Sequence, residues 1–232
     1  MYKLFNIIWK ENRIKAIKRD VDFMYVILPF EKDFYEKKHN YPVHFVGHPL
    51  LDAIAQNPMP NDKVFREENK LDPEKPIIAL LPGSRKQEVN RMLSVMLSVT
   101  KLFPKYQFVI AVATSMEFDF YKPFLNNPQV GFANNKTYDL LALSTGALVT
   151  SGTATLETML MKTPMVTGYK VGWLSYQIFS RMIKTPYFTL PNLLAQKMIV
   201  PELIQQDVTT DNIVKAIKPM LLEPQVELKQ TF

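Results

Sequence analysis

Cysteine is absent from the 232 residues. That excludes disulfides, thiolate metal sites and a cysteine nucleophile, and it is compatible with a reducing compartment. Histidine is nearly absent: His39, His44 and His48 are the three, so a His-rich metal centre is not expected. No apolar run reaches the roughly 18 residues that a membrane-crossing helix needs. The opening stretch from Met1 to Trp9 is apolar but short. No small-residue cleavage site follows it, so it does not read as a secretory signal. Glycine is scarce, with seven in the chain, about 3% against a usual ~7%. Each glycine that remains is therefore more informative about a required backbone geometry. The P-loop pattern GxxxxGK[ST] and the dinucleotide pattern GxGxxG are missing, and no DxD metal motif, zinc spacing or Ser-His-Asp arrangement stands out.

What is present is an ordinary globular composition, 47% hydrophobic and 22% charged, which excludes wholesale disorder. The length fits one large domain, or one domain with a fragment of another. The net charge is +6 and the isoelectric point about 9.3. A positive surface favours nucleic acid, phosphorylated substrates or acidic lipid headgroups. The charge is uneven: residues 1–20 carry six Lys/Arg against two acids, and residues 167–200 carry Lys170, Arg181, Lys184 and Lys197 with no acid.

Short apolar runs alternate with amphipathic stretches. Val21–Leu28 predicts a strand, Phe30–Lys38 a helix, and Val43–Val46 a short strand ended by Gly47-His48-Pro49. Residues 56–62 have the composition of a linker. Pro76–Leu81 is continuously apolar, as in a strand covered on both faces of a parallel sheet. Val89, Met92, Leu93, Met96, Val99 and Phe103 then recur at helical spacing. Phe108–Ala113, Ala147–Thr150 and Met165–Gly168 are further strands. This rhythm predicts an α/β fold, a Rossmann-like doubly wound parallel sheet. In such sheets ligands bind outside the carboxyl ends of the strands, so the loops that follow the strands are where chemistry is expected.

Two such loops stand out. In Leu80-Leu81-Pro82-Gly83-Ser84-Arg85, Gly83 lets the backbone turn and Ser84 can cap the following helix. Free N–H groups and the helix dipole favour an anion, and Arg85 adds a permanent charge for a phosphate. The plainer reading is a strand–helix turn with an exposed arginine. In Ser151-Gly152-Thr153-Ala154-Thr155-Leu156-Glu157, Ser151, Gly152 and Thr153 make a second anion nest. Glu157, about a turn inside the helix, is placed to accept from ribose hydroxyls. Here the plainer reading is that Thr153 is an N-cap and Glu157 a solvated helix residue. Asn192, in Thr189-Leu190-Pro191-Asn192-Leu193-Leu194, could orient a phosphate or a base, or could form an Asx-turn. Gln177, Ser180, Arg181 and Lys184 form a polar stripe on the aromatic-rich segment Trp173–Lys184, which suits either an anionic membrane surface or a helix packed on its own domain. The basic residues among Trp9–Arg19 carry the same two readings. His48 suits a structural turn better than a cleft.

In order, Trp9-Lys10-Glu11-Asn12-Arg13, Leu28-Pro29-Phe30-Glu31, Phe45-Val46-Gly47-His48-Pro49, the Leu80–Arg85 and Ser151–Glu157 segments, Leu190-Pro191-Asn192-Leu193-Leu194 and Val200-Pro201-Glu202-Leu203 resemble the lipid-A-disaccharide synthases over nearly the whole chain. The resemblance implies a GT-B architecture, two Rossmann-like domains facing a cleft. It implies transfer of 2,3-diacylglucosamine from its UDP derivative to 2,3-diacylglucosamine 1-phosphate, giving the β-1,6-linked lipid A disaccharide phosphate and UDP. It implies no metal and no cofactor, no nucleic-acid partner, and a cytoplasmic, peripheral position on the inner face of the inner membrane. By motif match, Arg85, Glu157 and Asn192 are the expected catalytic residues, and Gly83, Ser84, Ser151, Gly152 and Thr153 complete the UDP-sugar site with them. Most of the family's amino-terminal domain has no counterpart in the sequence. Residues 1–55 are expected to be a remnant of that acceptor domain, and residues 56–232 the donor domain. A truncated gene product follows as an expectation, with uncovered apolar surface favouring a homo-oligomer.

Overall fold

A computed structural model describes residues 13–113, 115–124, 127–172, 176 and 186–222. Among these, residues 13–56 belong to one compact unit, and residues 57–172 with 187–222 to another.

In the first unit, helix α1 (Arg13–Asp20) leads to strand β1 (Tyr25–Val26), and α2 (Pro29–Asp33) widens into a π-helical turn over Phe34–Lys38. Strand β2 (His44–Phe45) and helix α3 (Pro49–Ala55) follow. The two strands pair in parallel, Tyr25 with His44 and Val26 with Phe45. Val26, Tyr35 and Val43 form a small buried core that Ile14 and Ile17 of α1 pack against. The expected strand Val21–Leu28 shrinks to two residues. Among the described residues one partner strand is present, and the backbone of Ile27 and Leu28 donates to the Glu31 carboxylate at 3.1 and 2.9 Å. The expected helix begins at Pro29, whose fixed φ suits a first helical position. His48 is a helix cap: its Nδ1 accepts from Leu50 N–H at 3.2 Å. Burial lowers its pKa against an opposing pull from Glu31, which favours the neutral ring that can accept.

The second unit is built on six parallel strands: β3 (Ile77–Leu81), β4 (Gln107–Val112), β5 (Val130–Asn134), β6 (Ser144–Thr150), β7 (Met165–Tyr169) and β8 (Glu202–Ile204). Helices α4 (Asp62–Glu68), α5 (Lys86–Ser98), α6 (Thr137–Leu143), α7 (Thr153–Leu160), α8 (Leu190–Ala195) and α9 (Thr210–Leu222) accompany them. The strand order is β5-β4-β3-β6-β7-β8, and every pairing is parallel.

Successive side chains of a strand point to opposite faces, and the core divides accordingly. Ile78, Leu80, Phe108, Ile110, Leu148 and Val166 face Val89, Met92, Leu93 and Met96 of α5 and Ile213 and Ile217 of α9. Ile77, Ala79, Leu81, Val109, Ala147 and Val149 face Phe65 of α4 and Leu140 and Leu141 of α6. Both faces are covered, which explains the unbroken apolar runs of β3 and β4. Each fully buried aliphatic side chain stabilises the unit by about 1.5–3 kcal/mol.

The helix expected from Val89 onward is α5. Strands β4, β6 and β7 lie where the apolar runs predict them, with β6 beginning three residues earlier, at Ser144. Strands β5 and β8 carry no such signal. β5 is an edge strand, mostly half-buried, with Gly131 inside it. β8 is the other edge, three residues long and half-buried throughout.

Candidate functional site

The sheet reverses its winding between β3 and β6. From β3 the chain runs outward through β4 and β5, then returns to pair β6 against the other side of β3. Such a switch point leaves a crevice at the strands' carboxyl ends. The last paired residues there are Leu81 and Val149. The turn at Pro82–Arg85 and the turn at Thr150–Thr153 therefore leave the sheet side by side. These are the two loops that the sequence singles out.

In the first turn, Gly83 has φ +112°, a conformation that side-chain-bearing residues rarely adopt. Helix α5 begins one residue later than expected, with Arg85 in the cap position and no side-chain cap. Ser84 is thus not the helix cap. It is exposed, and its carbonyl accepts from Ser115 Oγ at 3.0 Å. The Arg85 guanidinium donates from Nη1 to Glu88 Oε1 at 2.9 Å, and its side chain keeps 58% exposure. Ser84 N–H donates to the other carboxylate oxygen of Glu88 at 3.2 Å. Tyr169 ends β7 beside this turn. Burial is the main cause raising its phenol pKa; the Glu88 charge adds to the rise and the Arg85 charge opposes it.

In the second turn, Ser151 N–H donates to Gly168 O at 2.8 Å. Gly152 holds the cap position of α7, again without a side-chain cap, so Thr153 is not the cap either. A Cβ built on Gly152 meets nothing within 4 Å. The Thr150 hydroxyl, buried at the end of β6, has no hydrogen-bond partner. Glu157 is a half-buried residue of α7, not a solvated one. Burial raises its pKa, and a hydrogen bond from Tyr138 opposes that rise. That bond runs from Tyr138 Oη to Glu157 Oε1 at 3.4 Å. Tyr138 lies in the first turn of α6, just after β5.

Asn192 sits elsewhere in chemical terms. It is fully buried. Its Nδ2 donates to Val200 O at 2.9 Å and to Glu202 Oε1 at 2.7 Å. Its Oδ1 accepts from Ile199 N–H at 2.7 Å and Val200 N–H at 2.9 Å. An amide offers two donors and two acceptor positions, and all are taken. The structure places the expected catalytic residue Asn192 in a buried network that ties α8 to β8. Glu202, which sequence reasoning quoted without assigning, completes the tie by accepting from Thr189 N–H and Thr189 Oγ1 through Oε1 and from Phe188 N–H through Oε2.

Three residues of the site were not singled out from sequence: Glu88, Tyr138 and Tyr169. Only Glu88 had a local signal, a glutamate three residues into a helix. Arg181 and Lys184 of the basic stripe lie outside the described residues. Among the described residues no group of three or more His, Asp or Glu side chains is placed to hold a metal ion, and no helix is long and apolar enough to cross a membrane.

Several known proteins are similar to this chain. The chain is 41% identical to a lipid-A-disaccharide synthase of Idiomarina loihiensis, over 97% of this chain and 60% of that protein. It is 40% identical to one of Alcanivorax borkumensis, over 94% of this chain and 58% of that protein. The chain thus spans about three-fifths of the length of the curated relatives it matches. Among solved structures, the UDP-GlcNAc 2-epimerase of Methanocaldococcus jannaschii, in complex with UDP-GlcNAc and UDP, matches with TM-score 0.58 at 13% identity, over 88% of this chain and 55% of that one. WaaG, a glycosyltransferase involved in lipopolysaccharide biosynthesis, matches with TM-score 0.50 at 12% identity, over 88% of this chain and 54% of that one. These likenesses carry the fold alone, a Rossmann-like parallel sheet with helices on both faces. The family model described as lipid-A-disaccharide synthetase matches residues 7–231, and the chain belongs to that family.

Proposed function

We propose that residues 56–232 form the donor domain of a lipid-A-disaccharide synthase and that residues 1–55 belong to its acceptor domain. The reaction is transfer of 2,3-diacylglucosamine from its UDP derivative to 2,3-diacylglucosamine 1-phosphate, with release of UDP. One observation supports this reading: the turn at Pro82–Arg85 and the turn at Ser151–Thr153, each read as an anion nest, leave the sheet side by side at the β3/β6 switch point.

The chemistry assigned to this chain is modest and electrostatic. An acceptor hydroxyl oxygen bonds to the anomeric carbon of the donor sugar. The bond from that carbon to the diphosphate oxygen breaks, and its electron pair leaves with UDP. Arg85 and the amino ends of α5 and α7 stabilise the charge that grows on the diphosphate. Gly83, Ser84, Ser151, Gly152 and Thr153 bring backbone N–H groups to it. Glu157, steadied by Tyr138, accepts from the ribose hydroxyls. Asn192 holds α8 and β8 in register behind the site. The proton of the acceptor hydroxyl passes to a base supplied by the acceptor domain. The substrates carry acyl chains, so the protein works at an anionic membrane surface, on the cytoplasmic side where UDP-sugars are made.

The test is a titration of UDP into the 232-residue chain, followed by an assay of disaccharide formation with and without a supplied amino-terminal segment of a relative. UDP binding with turnover only when the segment is present supports the proposal. Arg85→Ala is expected to weaken UDP by roughly tenfold or more, from loss of a charge-assisted contact of about 1.5–3 kcal/mol. UDP binding that no added segment converts to turnover favours a non-catalytic UDP-sugar-binding module. No UDP binding overturns both.

A further inference from the structure

Gly83, Ser84 and Arg85 already face an anion that belongs to the chain. The Glu88 carboxylate takes Ser84 N–H at 3.2 Å and Arg85 Nη1 at 2.9 Å. A Cβ built on Gly83 would lie 2.7 Å from Glu88 Oε2 and 2.8 Å from Glu88 Cβ, so the side chain is folded directly over the turn. It is 25% exposed, and the nearby Tyr169 phenol feels both its charge and that of Arg85.

A glutamate at this place in a first turn commonly reaches back to the backbone N–H of the cap residue itself. Here it reaches one residue further back, to Ser84, and also engages the guanidinium. The donors it occupies are the ones a diphosphate would use. A carboxylate is a single negative charge with two acceptor oxygens, whereas a diphosphate brings more charge and more oxygens to the same donors. The exchange therefore favours the diphosphate, at the cost of breaking two charge-assisted contacts already made.

We propose that Glu88 is a displaceable internal anion that competes with the diphosphate for Ser84 N–H and Arg85, and so sets how tightly the site retains a nucleoside diphosphate. This rests on the donor-site reading above. With the site empty, Glu88 keeps Arg85 oriented and the Ser84 N–H satisfied. When diphosphate enters, Glu88 gives up both partners. When the product must leave, Glu88 returns to them, which limits retention of UDP.

The experiment measures dissociation constants of UDP and of inorganic pyrophosphate for the wild-type chain, Glu88→Gln and Glu88→Ala, with thermal denaturation confirming that each is folded. Both ligands are expected to bind about fivefold tighter or better to both variants, because a neutral or missing side chain competes less for a charged partner. In a double-mutant cycle the gain should disappear when Arg85 is also replaced by alanine. Unchanged or weaker binding of both ligands in the folded variants overturns the proposal and makes Glu88 a support for Arg85. If UDP binds wild type and variants equally, the competition is wrong while the donor-site reading stands. If UDP binds none of them but pyrophosphate tightens, the nucleotide reading fails while the competition stands. Absence of binding by both ligands throughout overturns both.

Discussion

Asn192 Nδ2 lies 2.7 Å from Glu202 Oε1, so the amide that motif matching assigns to catalysis is bonded to a carboxylate of the neighbouring strand. The pair closes the segment between α8 and β8, and it determines what a substitution there should do.

Asn192→Ala removes the partners of the Ile199 and Val200 N–H groups and of the Val200 carbonyl. Each buried polar group left without a partner costs about 1–3 kcal/mol. The expected loss of stability is about 3 kcal/mol, measured by urea denaturation. Weaker UDP binding should appear only together with that loss. A full-stability Asn192→Ala that fails to bind UDP would return the residue to ligand contact.

Glu157 gives a pH dependence of known sign. Burial raises its carboxyl pKa above the ordinary value, so the folded protein holds its proton more tightly than the unfolded chain does. The associated stability is fully present below the unfolded value and is lost as pH rises through the raised folded value. Glu157→Gln should flatten this part of the stability–pH curve. It should also impair UDP binding, because an amide presents one acceptor oxygen to the two ribose hydroxyls. Equal affinity of wild type for UDP and its 2′,3′-dideoxy analogue would remove the ribose role.

Gly83→Ala meets two separate obstacles, the φ of +112° and the 2.7 Å approach of Glu88 Oε2. The expected destabilisation is about 1–3 kcal/mol. Adding Glu88→Ala removes the Oε2 contact but keeps both the Glu88 Cβ at 2.8 Å and the positive φ, so the double variant should recover only a small part of the loss. Recovery of all of it in thermal melts would show that neither the backbone conformation nor the remaining Cβ approach costs anything.

The basic face of α1 predicts weak binding to acidic lipid. Arg13, Lys15, Lys18 and Arg19 are exposed, while Ile14 and Ile17 pack inward. Arg19 is paired with Asp20 at 2.6 Å, which leaves Arg13, Lys15 and Lys18 as the better contributors, at about 1 kcal/mol each near an anionic surface. Sedimentation with anionic vesicles is expected at low salt and release at high salt. Lys15→Glu with Lys18→Glu, compared with Arg181→Glu with Lys184→Glu, assigns the contact to one basic segment or the other.

Local signals settled much of this protein in advance. Unbroken apolar runs marked β3 and β4 because both faces of a central parallel strand are buried, and the spacing of Val89, Met92, Leu93 and Met96 marked α5 because one helical face meets the sheet. A rare glycine after a strand and before a helix marked each of the two turns at the switch point, since backbone freedom is a property of a few adjacent residues. What these signals could not settle is which distant segments become neighbours. That β3 pairs with β6, that Tyr138 comes to Glu157, and that the Asn192 amide bonds to Glu202 were decided by packing. Strand order follows from how whole helices cover a sheet, and a polar side chain's role follows from which partners that packing leaves within reach.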